Sequence, residues 1–296
     1  MHSTIKKYLQ LARLPNVFTA PTNIMAGYLT ITPVSDLNFT SLGILMTSSA
    51  LLYASGIIFN DYFDVEVDRK ERPFRPLPSG KISKKTALQL GIVLMTSAVL
   101  ISISVSWLSF AIAVSLACAI LGYNYRLKHY KFFGPVTMGC TRFLNVILGA
   151  SVSIHFPMQS NFLQPLFAAL SMFAYVAIIS LFSRKEMKGT SSRSISALFS
   201  LVYTITASIT IAALLDFFKI SIFSILIPFI LIQSIILKQS ISGNAVAIQG
   251  GIKWMVISII ILDSTFVSGT AGLSYGLITL LFLAPSVILS RRFYVT

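Results

Sequence analysis

The chain has 296 residues, of which 55% are hydrophobic and 11% charged, and its formal charge of +14 comes from 23 Lys and Arg against 9 Asp and Glu. Mean hydropathy is +0.81. Soluble domains carry about 25% charged residues, so this composition cannot cover a water-facing surface and excludes a soluble globular fold. A lipid-solvated backbone must satisfy its own hydrogen bonds, which leaves helices or a closed barrel. The apolar runs are near-continuous, about 20 residues long and without period-two alternation, which selects helices.

In chain order, the residues after Lys6 and Lys7 open an apolar stretch from about Pro15 to Leu29 that is long and interrupted by Asn16, Thr19 and Asn23. It reads as a first spanning helix, not a cleaved signal. Spanning helices are predicted over 15–33, 42–62, 87–106, 108–125, 134–155, 163–183, 195–215 and 220–238, with two more candidates over 247–265 and 271–290. Gly250, Gly251 and Lys253 predict a break in the ninth. Nothing in composition divides residues 1–296, so the chain reads as a single domain.

The basic residues fall in alternate gaps: Arg69 to Lys85, Arg126 to Lys131, and Arg184 to Arg193. The gaps near 34–41, 156–162 and 264–270 hold none, with Lys219 the one exception on that side. These loops therefore share one face, cytoplasmic by the distribution of Lys and Arg. The same pattern explains the net charge without nucleic-acid binding. Arg291 and Arg292 put the C-terminus on that face too and favour an even helix count. Cys118 and Cys140 have no partner spacing for a disulfide or zinc site. Asp216 and Asp263 read as solvated helix ends on the opposite side.

Chemistry concentrates in Asn60–Gly80, NDYFDVEVDRKERPFRPLPSG. Asn60, Asp64 and Asp68 are spaced i, i+4, i+8, one stripe on a helix, with Asp61 beside it. Three carboxylates at a bilayer edge repel one another and lose hydration, so a neutralising cation is expected. All-oxygen donors select a hard ion, Mg²⁺ above all, which bridges carboxylates to phosphate oxygens. Arg69, Lys70, Arg72 and Arg75 follow directly and suit an anion beside that metal. The Pro-rich run from Arg72 to Gly80 is a stiffened loop able to cap the site. Tyr123 to Lys131 combines aromatics with Lys128 and Lys131, which suits either an anionic head group or an interfacial belt. Arg142 and Asn145 lie within the fifth helix, where a buried Arg needs a partner. Arg13 and Asn16, at the start of the first, resemble them.

These residues resemble the UbiA superfamily of intramembrane prenyltransferases, whose N-x-x-x-D-x-x-x-D motif reads here as Asn60, Asp64 and Asp68, with Asp61 in the common extra acidic place. The tail Arg75-Pro-Leu-Pro78-Ser-Gly80 and the Tyr123–Lys131 element match further family features. The resemblance implies an all-α polytopic bundle of about nine spanning helices (8–10) with a cytoplasmic-side polar cap. It implies an isoprenyl diphosphate bound through Mg²⁺, and a small, lipidic or aromatic acceptor that captures the allylic cation. It assigns Asn60, Asp61, Asp64 and Asp68 to the metal. Arg72, Arg75, Lys128 and Lys131 go to the diphosphate, and Asp64, Asp68 and Arg142 to catalysis. Asn16, Tyr123, Asn145 and Glu186 go to substrate.

The chain departs from the family after its sixth helix, where a second acidic motif is usual. Here the stretch runs from Ser183 to Thr190 with Glu186 as its only acid. This, with Glu71 to Pro78, resembles the EboC-type branch and implies a bacterial inner membrane. Arg184, Lys185 or Lys188 could supply the charge a second metal would bring. The competing reading is a transporter or lipid-handling protein that keeps the diphosphate site without chemistry. A CDP-alcohol phosphotransferase would need a D-G-x-x-A-R-like signature, which the sequence lacks.

Overall fold

A computed structural model describes residues 2–153, 162–184 and 190–291. Fifteen α-helices succeed one another, and no strand occurs among the described residues. The first, α1 (His2–Leu11), lies outside the apolar runs. It is followed by α2 (Leu14–Val17), α3 (Thr19–Ile31), α4 (Phe39–Phe63), α5 (Val65–Glu71), α6 (Lys84–Ser102), α7 (Trp107–Tyr125) and α8 (Phe133–Ala150). Then come α9 (Leu163–Ser183), α10 (Ser192–Leu214), α11 (Phe223–Ser240), α12 (Ala245–Ile257), α13 (Ile259–Thr270), α14 (Leu273–Leu280) and α15 (Leu283–Ser290).

Eight described segments are long and apolar enough to cross a bilayer: α4, α6, α7, α9, α10, α11 with its preceding 3₁₀ turn, α12–α13 and α14–α15. Two further segments, α2–α3 and α8, traverse the same bundle. The start of α2 lies beside the C-terminal end of α4, where Arg13 pairs with Asp61. Beyond the other end of α3, Thr32 hydrogen-bonds Ser153, past the end of α8. Both carry Asn and Thr, and α8 carries Arg142 as well. All of α3 except Ile31 is buried, and a helix facing protein rather than lipid can carry Asn, Thr and Arg.

Together, these ten segments among the described residues bring α15 back to the face where α2 starts. Ser286 Oγ donates to the Pro15 carbonyl at 2.9 Å, and Lys253 Nζ to Ser290 O at 3.3 Å. The last described helix thus ends on the face where α2 starts, the same-face placement that Arg291 and Arg292 suggest. The ninth crossing does break, but at Ser258 between α12 and α13, not at Gly250 and Gly251, which stay inside α12. Asp263 is not a solvated end: it is fully buried in α13.

Apolar packing forms two large clusters. One joins α3, α4, α6 and α7, the other α9 to α13. A third, small cluster of Leu11, Ile58, Val65, Leu77, Ile82 and Ala87 fixes the Pro-rich loop to α1 and α5. Between lipid-facing helices the hydrophobic effect contributes little, so close backbone approach carries much of the association. At the α3–α8 crossing a Cβ added to Gly27 would sit 2.9 Å from the Ala150 amide nitrogen and closer still to the Val146 carbonyl. A Cβ on Gly149 would collide with the backbone of Ile24. Gly149→Val should therefore cost about 3 kcal/mol of stability by overpacking, measured by unfolding in detergent. Gly43→Ala, where nothing lies within 4 Å, should be nearly neutral.

Candidate functional site

The site forms where α4 ends. Asn60 and Asp61 sit in its last turn, and Asp64 caps it with backbone angles of −91° and 4° before α5 begins. Backbone hydrogen bonds from Asp64 to Asn60 and from Asp68 to Asp64 carry the chain through this kink. The four oxygen-bearing side chains do not form one stripe. They sort into two pairs, each closed on its own cation.

The first pair is Asn60 and Asp64. Lys128, in the short 3₁₀ turn after α7, places its ammonium 2.6 Å from Asp64 Oδ1 and 3.3 Å from Asn60 Oδ1. The second pair is Asp61 and Asp68, both buried. Arg75 Nη1 donates to Asp68 Oδ2 at 2.7 Å and lies 3.5 Å from Asp61 Oδ1. Arg13 reaches Asp61 Oδ1 at 2.9 Å, and Arg72 approaches Asp68 Oδ1 at 3.9 Å. Arg13 does so from a left-handed backbone with φ of 44°, a conformation that costs a side-chain-bearing residue about 1–2 kcal/mol. Burial, and secondarily the charge of Arg13, lowers the pKa of Arg75, while Asp61 and Asp68 oppose that shift. A guanidinium nonetheless stays charged.

This sorting corrects the expected carboxylate cluster: among the described residues no group of three or more His, Cys, Asp or Glu converges on one point. The donor set still fits a hard cation at Asn60 and Asp64, because their oxygens already converge on one positive charge. Asp61 and Asp68 hold arginines instead. Glu186 lies outside the described residues, as do Lys185 and Lys188. Lys131 is exposed and away from the cavity. Arg184 does not face a ligand: its guanidinium donates to the Lys128 and Tyr130 carbonyls at 2.9 and 2.8 Å and props the turn that carries Lys128.

Beneath these pairs lies a cavity of about 350 Å³. Arg13, Arg72, Arg75, Asn60, Tyr123 and Ser183 line its mouth, and Leu116, Ile120, Val176, Ile179, Ile252 and Val256 its apolar walls. Asn16, Asn145 and Arg142 also line it. Arg142 is deeper than a diphosphate ligand would require. Its guanidinium stacks 4.7 Å above Tyr53, two helical turns or about 10 Å along α4 from Asn60. It donates to Asn23 Oδ1 at 2.9 Å and to Thr19 Oγ1 at 3.1 Å. Asn145 bonds Ser49, Ala20 and Asn23.

Sequence reasoning passed over Asn124. Its amide group donates to the carbonyls of Gly56 and Ile120, both at 3.0 Å. Asn124 lines the cavity, and its buried Oδ1 has no hydrogen-bond partner among the described residues. Its place between Tyr123 and Tyr125 in a polar helix end was the available signal.

The UbiA prenyltransferase family model matches residues 20–241. Among curated proteins, the digeranylgeranylglyceryl phosphate synthase of Saccharolobus solfataricus is 34% identical over 149 residues, covering 49% of this chain and 51% of that protein. The synthase of the same name from Metallosphaera sedula is 30% identical over 182 residues, covering 62% and 61%. The matched region thus spans about half to three-fifths of these relatives. A solved structure described as a digeranylgeranylglyceryl phosphate synthase in membranes has a TM-score of 0.66 at 21% identity, covering 91% of this chain and 99% of that one. A UbiA homologue from Archaeoglobus fulgidus bound to GPP and Mg²⁺ has a TM-score of 0.53 at 17% identity, covering 96% and 99%. These two share the fold. None of these relatives is an EboC-type protein or bacterial, so that branch and the bacterial inner membrane gain no support from them. With three-quarters of its length under one family model and a matching multi-pass helical fold, the chain belongs to the UbiA prenyltransferase family.

Proposed function

We propose that residues 1–296 act as one Mg²⁺-dependent prenyltransferase domain on the cytoplasmic face. It would move an isoprenyl group from its diphosphate to the hydroxyl of a glyceryl-phosphate-type lipid. The observation that carries this reading is the cavity itself: a mouth of Arg13, Arg72 and Arg75 beside the Lys128 cation seat opens onto apolar walls. That is the polarity order of an isoprenyl diphosphate, head outward and tail inward. The acceptor class follows the relatives' name, which specifies geranylgeranyl groups on glyceryl phosphate.

Asn60 and Asp64 would hold the ion, while Asp61 and Asp68 keep their arginines. Bound there, Mg²⁺ would supply charge neutralisation for a departing diphosphate. Lys128, released from Asn60 and Asp64, turns its ammonium to the diphosphate beside Arg72 and Arg75. The C1–O bond breaks with its electron pair going to the diphosphate. The apolar walls would exclude water from the allylic cation, and the acceptor oxygen would form the new C–O bond and pass its proton to the departing diphosphate. Asn16, Tyr123, Asn124 and Asn145 line the wall that would hold the acceptor. Arg142 serves this wall, not the diphosphate. A binding-only protein remains the second reading, favoured by Ser183 standing at the cavity where an acid is usual.

Incubation with geranylgeranyl diphosphate and Mg²⁺ should release diphosphate, and Asp64→Ala should reduce release by a hundredfold or more, given the roughly several kcal/mol a metal contributes. Tight binding without release would establish the second reading. Lys128→Met should weaken diphosphate binding about tenfold, the worth of one charge-assisted hydrogen bond. The same change should strengthen Mg²⁺ binding in the absence of diphosphate, which calorimetry can read. With a non-reacting diphosphate analogue bound, metal analysis should count one tightly held Mg²⁺; two would overturn the assignment of the second metal's place to positive side chains.

A further inference from the structure

Arg142 brings a permanent positive charge into the membrane interior, and no acid among the described residues pairs with it directly. The nearest answer is Asp263, on the far side of α3 and fully buried. Its carboxylate accepts from Thr22 Oγ1 at 2.6 Å and from Asn23 Nδ2 at 2.9 and 2.8 Å. Asn23 turns its other end the opposite way: Oδ1 accepts from Arg142 Nη1 at 2.9 Å and from Asn145 Nδ2 at 3.3 Å. Asn145 Oδ1 then accepts from Ser49 Oγ at 2.8 Å. The relay runs from α13 through α3 to α8 and α4. Every member is buried, and only its Arg142–Asn145–Ser49 end lines the cavity.

The direction of this relay is set from both ends. An amide side chain presents a donor at one end and an acceptor at the other. Asp263 accepts the NH₂ group of Asn23 at both oxygens, while Arg142 and Asn145 donate to its oxygen. With the acid replaced by an amide, one of its two acceptors becomes a donor and its charge is lost, so the hold on Asn23 loosens at the end away from the cavity and Arg142 and Asn145 lose part of what keeps them in place.

We propose that Asp263 is a positioning residue for the cavity: through Asn23 it orients Arg142 and Asn145, although it touches no substrate. The role in turnover rests on the prenyltransferase reading; the linkage itself does not.

The test is a double-mutant cycle of Asp263→Asn and Arg142→Gln, read in two ways. In diphosphate release from geranylgeranyl diphosphate with Mg²⁺, Asp263→Asn should lower kcat/KM roughly tenfold to a hundredfold, the scale of a small misplacement in a site. Active protein is counted by analogue titration, so that misfolding does not register as lost rate. In the Arg142→Gln background the same change should cost less than about twofold. In thermal unfolding, Asp263→Asn should lower the midpoint in the wild-type background and much less beside Arg142→Gln. If Asp263→Asn yields no folded protein, Asn23→Ala takes its place in both cycles. Equal losses in both backgrounds, in both measurements, would overturn the proposal. Coupled unfolding with additive kinetics would overturn its part in turnover. A wild-type protein that releases no diphosphate would remove the prenyltransferase reading instead, and the unfolding cycle alone would then decide the linkage.

Discussion

Positive charge placed below the surface of a bilayer has to be met by oxygen from the same protein, and this requirement organises the bundle. Arg75 is buried between Asp61 and Asp68 and Arg142 against Asn23 and Thr19, while Lys128 sits half-buried between Asn60 and Asp64. Each cation ties together segments that the chain delivers separately. Arg75 fastens the Pro-rich loop onto α4 and α5. Lys128 brings the turn after α7 to the end of α4, and Arg142 locks α8 against α3. Removing one partner of such a buried pair leaves an uncompensated charge, a loss of about 3–5 kcal/mol. The polar groups are therefore part of what holds the helices in register.

The same arrangement bears on how the site works. The carboxylates are each paired with a cation of the protein, so they do not repel one another. On the proposed reading, Lys128 holds the metal's seat between two oxygens and would turn to the anion that arrives with the metal, so one side chain would couple the binding of metal and diphosphate. Arg184 would extend that coupling to α9 by holding the Lys128 turn through two carbonyls.

Much of this was legible in the residues. Run length and hydropathy located the crossings, the loop charges located the common face, and the Asn60–Gly80 segment announced cation and anion chemistry. The pairing of the acids was not legible. Spacing placed Asn60, Asp64 and Asp68 on one stripe, but the cap at Asp64 kinks the chain, and the partners that separate the pairs come from Arg13, Arg75 and Lys128. Asp263 was misread for a related reason. Ahead of a presumed loop it resembled a helix end, whereas the helix continues to Thr270 and the groups that satisfy Asp263 lie some 240 residues earlier. Pairings that span the whole sequence leave no local pattern.

The glycine seam between α3 and α8 has one more effect. Backbones in contact at Gly27 and Gly149 leave no space for a chain of methylenes to pass. Beyond Leu116 and Ile120, the apolar wall continues through Val176 and Ile179 of α9 and Ile252 and Val256 of α12. On the proposed reading, the N-terminal helices supply the phosphate chemistry while α9 and α12 set how long a tail fits. Tail length could then drift by exchanging aliphatic residues in the C-terminal half, leaving the reacting end unaltered.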